Sequence, residues 1–172
     1  MIDIVAVLRA EDAVLDFLSV LTGSGPADRQ EQGREVHVLL GDTAEHLVLP
    51  AGLPPAERLA AVARHIRPVD ESAASPGPEA LATLIEAAAR GAEARLWTHS
   101  PADTRRGRGR LGRDTAAAVA PGGPPVLHAV GHSPYLQFIS DLDRPLDRAR
   151  VEAKLAFVNR QPGRSCPGRP TS

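Results

Sequence analysis

The sequence predicts an α/β domain, an open and mainly parallel sheet flanked by helices. Three observations predict it. Short apolar runs alternate along the chain with alanine-rich stretches of helical period, the pattern of strand–helix–strand units. The apolar runs are nearly continuous, as strands covered on both faces are. Each run stops at Gly, Asp, His or Pro.

The elements follow in order. Ile2 to Leu8 reads as the first strand and Ala10 to Thr22 as the first helix, because Val14, Phe17, Leu18 and Leu21 fall on one helical face. Glu35 to Leu40 is the second strand, and a helix is expected over Pro55 to His65. The next helix, Pro78 to Arg90, again has an apolar face, from Leu81, Leu84, Ile85 and Ala88. Ala94 to Thr98 is the third strand, Arg110 to Ala120 a helix, Val126 to Val130 the fourth strand and Asp147 to Asn159 the last helix. The stretches Ser72 to Pro78 and Pro121 to Pro125 are punctuation between elements, not linkers between domains. No repeat is present. Residues 1–160 therefore read as one domain, and the tail from Gln161 to Ser172, without apolar periodicity, is expected to be disordered.

A chain of 172 residues is long enough to bury a sizeable core without disulfides. Its one cysteine, Cys166, excludes an intramolecular disulfide and any cysteine zinc knuckle, which suits a reducing cytoplasm. The 20 basic and 21 acidic residues nearly cancel, so net charge draws the chain neither to nucleic acid nor to an anionic membrane. The start reaches Arg9, Glu11 and Asp12 before a signal-length apolar run develops, and no later run is long enough to span a bilayer. Arginine supplies 19 of the 20 basic residues, so single arginines carry little weight.

In an open parallel sheet, ligands bind beyond the carboxyl ends of the strands. Arg9, Glu11 and Asp12 follow the first strand; Asp42, Glu45 and His46 the second; His99, Ser100 and Asp103 the third; His132, Ser133 and Tyr135 the fourth. Taken singly, each is explained as a cap or a turn residue. The set is more informative, because His-Ser-Pro occurs twice, at His99 and at His132, each time just after a strand. Two imidazoles and a carboxylate such as Asp12 can make a metal site or an acid/base pair. Arg105, Arg106, Arg108, Arg110 and Arg113 form the strongest local positive charge, at or before a helix N-terminus. They read either as a clamp for a phosphate or carboxylate or as a solvated basic loop. Few aromatics and a short patch exclude nucleic acid as the expected partner. The spacing Gly107-Arg108-Gly109-Arg110-Leu111-Gly112 does not follow a strand directly, so it is read as a chance match to a dinucleotide fingerprint. Trp97, inside a strand, is assigned to the core, and Tyr135 is kept as a possible ligand contact.

Leu96-Trp97-Thr98-His99-Ser100-Pro101-Ala102-Asp103-Thr104, followed by Leu111-Gly112-Arg113 and an alanine-rich helix, resembles the second half of the PIG-L or LmbE-like zinc-dependent de-N-acetylases. Those proteins carry a strand ending in Thr-His, a His-Pro-Asp-His motif and a helix opening near Val-Gly-Arg. The helix from Glu79 to Arg90 and the segment from Pro145 to Ala156, with Lys154, resemble further parts of the same family. The resemblance implies a Rossmann-like fold and a hydrolase that removes acetyl groups from amino sugars or related small molecules. The family's first strand ends in His-Pro-Asp-Asp-Glu, and the matching stretch here is Arg9-Ala10-Glu11-Asp12-Ala13. Glu11 thus falls on the general base, Asp12 on a zinc-ligand aspartate and Arg9 on a zinc-ligand histidine. The His-Pro-Asp-His motif is matched by Arg105-Arg106-Gly107-Arg108, so both of its histidines are arginine. Arginine stays protonated and has no lone pair for a metal. Asp12 alone is retained, and no cofactor is expected unless zinc binds a rebuilt site.

Three readings follow. A metal-free protein binds a small anionic metabolite through Arg9, Asp103, Arg105, Arg106, Arg108 and Tyr135. A rebuilt amide hydrolase uses Glu11, Asp12, His99 and His132, with zinc if they converge. A non-catalytic relative serves as a partner subunit or scaffold. The first is preferred.

Overall fold

The computed structural model describes residues 1–23, 34–67, 74–129 and 146–159. They form β1 (Ile2–Val7), α1 (Ala10–Thr22), β2 (Val36–Leu40), β3 (Glu45–Leu49), α2 (Pro55–Ala63), α3 (Pro78–Ala89), β4 (Ala94–His99), α4 (Arg106–Ala118), β5 (Val126–Ala129) and α5 (Arg148–Asn159). The sheet runs β3-β2-β1-β4-β5. The β1–β2, β1–β4 and β4–β5 pairs are parallel, and β2–β3 is antiparallel. The expected α/β architecture with a mainly parallel sheet is thus present. The expectations for His132 and Tyr135, and for the tail from Gln161, fall outside the described residues.

The sequence explains the layering. Ile4 to Val7 of β1 are fully enclosed because helices cover both faces of the sheet. On one face Val5, Val7, Val36, Val38 and Leu40 meet Val14, Phe17, Leu18 and Leu21 of α1 and Val62 of α2. On the other, Ile4, Ala6, Leu39 and Leu96 meet Leu81, Ile85 and Ala88 of α3 and Leu111 of α4. Each large aliphatic side chain enclosed in this way contributes about 1.5–3 kcal/mol of transfer free energy. Trp97 is in the core, as expected, and donates its indole N–H to Asp3 Oδ1 at 2.8 Å.

Strand β3 is a correction. Glu45 and His46 were read as loop residues after the second strand, but they open β3, opposite Leu40 and Leu39. The reversal runs through Gly41, Asp42, Thr43 and Ala44, and Ala44 takes the left-handed conformation, with φ 53°. Glycine or asparagine is the usual residue there, so the turn has no sequence signature. A second correction concerns α4, which begins at Arg106, about a turn before the expected start at Arg110. Arg106 and Arg108 are therefore helical.

Two side chains tie the elements together. Arg58 of α2, 2% exposed, donates to the carbonyls of Leu53 at 3.0 Å, Leu21 at 3.1 Å, Arg34 at 2.7 Å and Pro50 at 2.9 Å. Burial lowers its pKa, against the opposing pull of Asp3. Arg150 of α5 reaches the C-terminal end of α1, donating to Thr22 O at 3.1 Å and to Thr22 Oγ1 at 3.0 Å. Carbonyls at a helix end lack intrahelical partners, and Arg150 supplies one.

Candidate functional site

The strand order reverses at β1: the chain leaves β1 for β2 on one side and returns to β4 on the other. Val7 lies opposite Leu40, and Ala6 opposite Thr98, so the carboxyl ends of three parallel strands lie side by side. A ligand crevice belongs at such a switch point.

Arg9 leaves β1 in an extended conformation and caps α1. Its backbone N–H donates to Asp12 Oδ2 at 3.2 Å, which places that carboxylate at the positive end of the helix. Asp16, one turn further along, faces the same way. His99 closes β4, with its ring edge-on to Phe17 at a centroid distance of 5.5 Å. Its Nε2 is 3.7 Å from Asp12 Oδ2 and its Nδ1 is 3.7 Å from Asp16 Oδ2. Both distances are too long for hydrogen bonds.

Arg108 comes from the first turn of α4. One guanidinium nitrogen donates to Asp12 Oδ1 and another to Asp16 Oδ2 at 3.1 Å. Asp12 is wholly buried and Arg108 is 4% exposed, so each charge needs the other. Nearer the rim, Arg105 pairs with Asp103 at 3.3 Å and comes within 3.7 Å of Asp16; Arg9 Nε lies 3.2 Å from Glu11. Arg106 is exposed at the start of α4. The guanidiniums are thus interleaved with carboxylates and do not form a bare cationic patch.

Helix α4 can come this close because of two glycines. A Cβ at Gly112 would overlap His99 O, and one at Gly109 would lie 2.8 Å from Asp103 O. Two glycines of the Gly-x-Gly-x-x-Gly spacing thus have a packing role inside α4. They bring the helix backbone against the loop that carries His99 and Asp103.

Several buried polar atoms at the strand ends have no hydrogen-bond partner, among them His99 Nε2, Thr98 Oγ1 and Asp42 Oδ1. Folded proteins pair nearly all such atoms, so each marks a place where water or a ligand can bond. Asp42 follows β2, its N–H donating to Leu8 O at 2.9 Å. Burial raises its pKa, opposed by its own backbone N–H and Thr43 and, more weakly, by Arg67 and Arg9.

No family model, curated protein or solved structure matches the chain. The residues also do not suit the zinc that the family resemblance implies. The two nitrogens of His99 point apart, one toward Asp12 and the other toward Asp16. Arg108, which has no lone pair, spans both carboxylates. Among the described residues no three His, Cys, Asp or Glu side chains converge as metal ligands.

The structure thus gathers Arg9, Glu11, Asp12, His99, Asp103, Arg105 and Arg108 at one end of the sheet. Sequence reasoning missed Asp16 at this cluster. Its signal was available, since Asp12 and Asp16 are one helical turn apart in a segment already read as helix.

Proposed function

We propose that the chain binds a small anionic metabolite at the carboxyl ends of β1 and β4, without a metal. The observation that carries this reading is His99, whose ring is 1% exposed and whose Nε2 has no hydrogen-bond partner beside the Asp12–Arg108–Asp16 network. A ligand oxygen or N–H satisfies that atom. Arg108 supplies a permanent buried positive charge that donates to both the Asp12 and Asp16 carboxyl groups. Arg105, 38% exposed, and Arg106 stand at the N-terminus of α4, where the helix adds its own positive end. A ligand carboxylate or phosphate would exchange with Asp103 for the Arg105 fork. The chain is then a diverged relative of the PIG-L or LmbE-like group, with Arg108 holding the aspartate that a metal would otherwise engage. The approach of His99 to Asp12 favours one second reading, an amide hydrolase in which Glu11, Asp12 and His99 handle the proton transfers.

The experiment is a thermal-shift screen of small phosphorylated and carboxylated compounds, followed by calorimetry on the wild type, Arg105→Ala and His99→Gln. The expected result is a ligand whose affinity falls about tenfold or more in each variant, the loss of one charge-assisted or buried hydrogen bond. A ligand bound equally by both variants, or no ligand among either chemical class, would overturn the proposal.

A further inference from the structure

A second cluster of titratable groups lies on the β2–β3 hairpin and shares no residue with the crevice. His37 Nδ1 is 2.8 Å from His46 Nε2, and the ring centroids are 4.9 Å apart. On its other side, His37 Nε2 donates to Glu35 Oε1. His37 lies opposite Val48 and His46 opposite Leu39, so the two imidazoles are diagonal neighbours on one sheet face.

We propose that this pair is a binding site for a divalent transition-metal ion, with zinc as the probe, chelated by His37 Nδ1 and His46 Nε2 and supported by Glu35. Because Glu35 accepts a hydrogen bond from His37 Nε2–H, the Nδ1 lone pair points at His46, the carboxylate–histidine arrangement that orients metal-binding imidazoles. His37 is wholly buried and held between strands, so its direction is set before any ion arrives. His46 is half-buried on β3, the outer strand of the described sheet, and water can complete the coordination from that edge.

Binding requires one proton to move and one small separation. The proton that His46 shares with His37 shifts to His46 Nδ1, a change of tautomer with no change of charge. The two nitrogens part from 2.8 Å to about 3.3 Å, the span of two tetrahedral zinc–nitrogen bonds. The charges that act on His46 are His37, Arg90 at the end of α3 and Glu35. Burial first, then His37 and Arg90, hold its pKa below the ordinary histidine value, and Glu35 opposes them. Arg90 also sets a limit, since it repels the ion as it repels a proton.

The test is calorimetric titration of zinc into the full chain at about pH 7.5, above the ordinary histidine pKa of about 6.5, on the wild type, His46→Ala, Glu35→Gln and His99→Ala. The expected result is one zinc per chain with micromolar affinity. It is lost in His46→Ala, weakened about tenfold in Glu35→Gln and unchanged in His99→Ala. Circular dichroism on His46→Ala, an edge-strand substitution, checks that the fold persists. No uptake by the wild type at millimolar zinc would overturn the proposal, as would binding that survives in His46→Ala or disappears in His99→Ala. The last two outcomes place the ion elsewhere, and neither bears on anion binding at Arg105.

Discussion

A methyl group on Gly112 would overlap the carbonyl oxygen of His99 and crowd the Pro101 nitrogen at 3.0 Å. Both neighbours are backbone atoms, so no side chain can swing away to make room. Gly112→Ala is expected to push α4 off the end of β4 and to lower stability by about 1–3 kcal/mol, the range for overpacking. Urea denaturation measures it. The same displacement moves His99, so ligand affinity at the crevice should fall with it. An unchanged midpoint would mean that helix and strand end do not touch in this way.

Arg108 is the cation on which the buried carboxylate of Asp12 depends. Arg108→Leu leaves the enclosed Asp12 carboxyl group without its cation, and the expected loss is about 3–5 kcal/mol, as for other buried pairs broken on one side. Asp12→Asn combined with Arg108→Leu removes both charges, and should cost less than the sum of the two single changes. A double-mutant cycle read by urea unfolding gives the coupling. Strict additivity would show that the pair does not act as a unit.

The parts of the fold that were legible in the sequence are those governed by burial. Runs such as Ile4 to Val7 and faces such as Val14, Phe17, Leu18 and Leu21 carry their own periodicity. Strand β3 was illegible because its reversal depends on Ala44 in a left-handed conformation, which alanine does not advertise. The early start of α4 was hidden by Arg106-Gly107-Arg108-Gly109, where glycine and charge mask a helix that tertiary contact stabilises. At the site, the carboxyl-end rule found Asp12 and His99 together. It could not show that Arg108 points inward and is paired, because arginine reads the same in sequence whether it is solvated or buried.

His46, on the β2–β3 hairpin, gives the protein an acid-sensitive element. His46 has a folded pKa below the ordinary value of 6.5, from burial, His37 and Arg90, with Glu35 opposing. The unfolded chain therefore binds this proton more readily than the folded one. Its contribution is present above about pH 6.5 and is lost as pH falls through the folded pKa. Unfolding free energy measured at about pH 7.5 and about pH 5 should drop for the wild type and drop less for His46→Asn. Equal pH dependence in the two proteins would count against it.

Arg58 joins carbonyls from four places along the chain: Leu21, Arg34, Pro50 and Leu53. The full set of four bonds is complete only when α1, β2, the end of β3 and α2 have come together. An interaction that forms last is absent from the folding transition state, and it acts on the rate of escape from the native state. Arg58 is therefore expected to govern how long a folded molecule survives more than how quickly it forms. Removing it should shorten that lifetime while refolding runs at nearly the same speed.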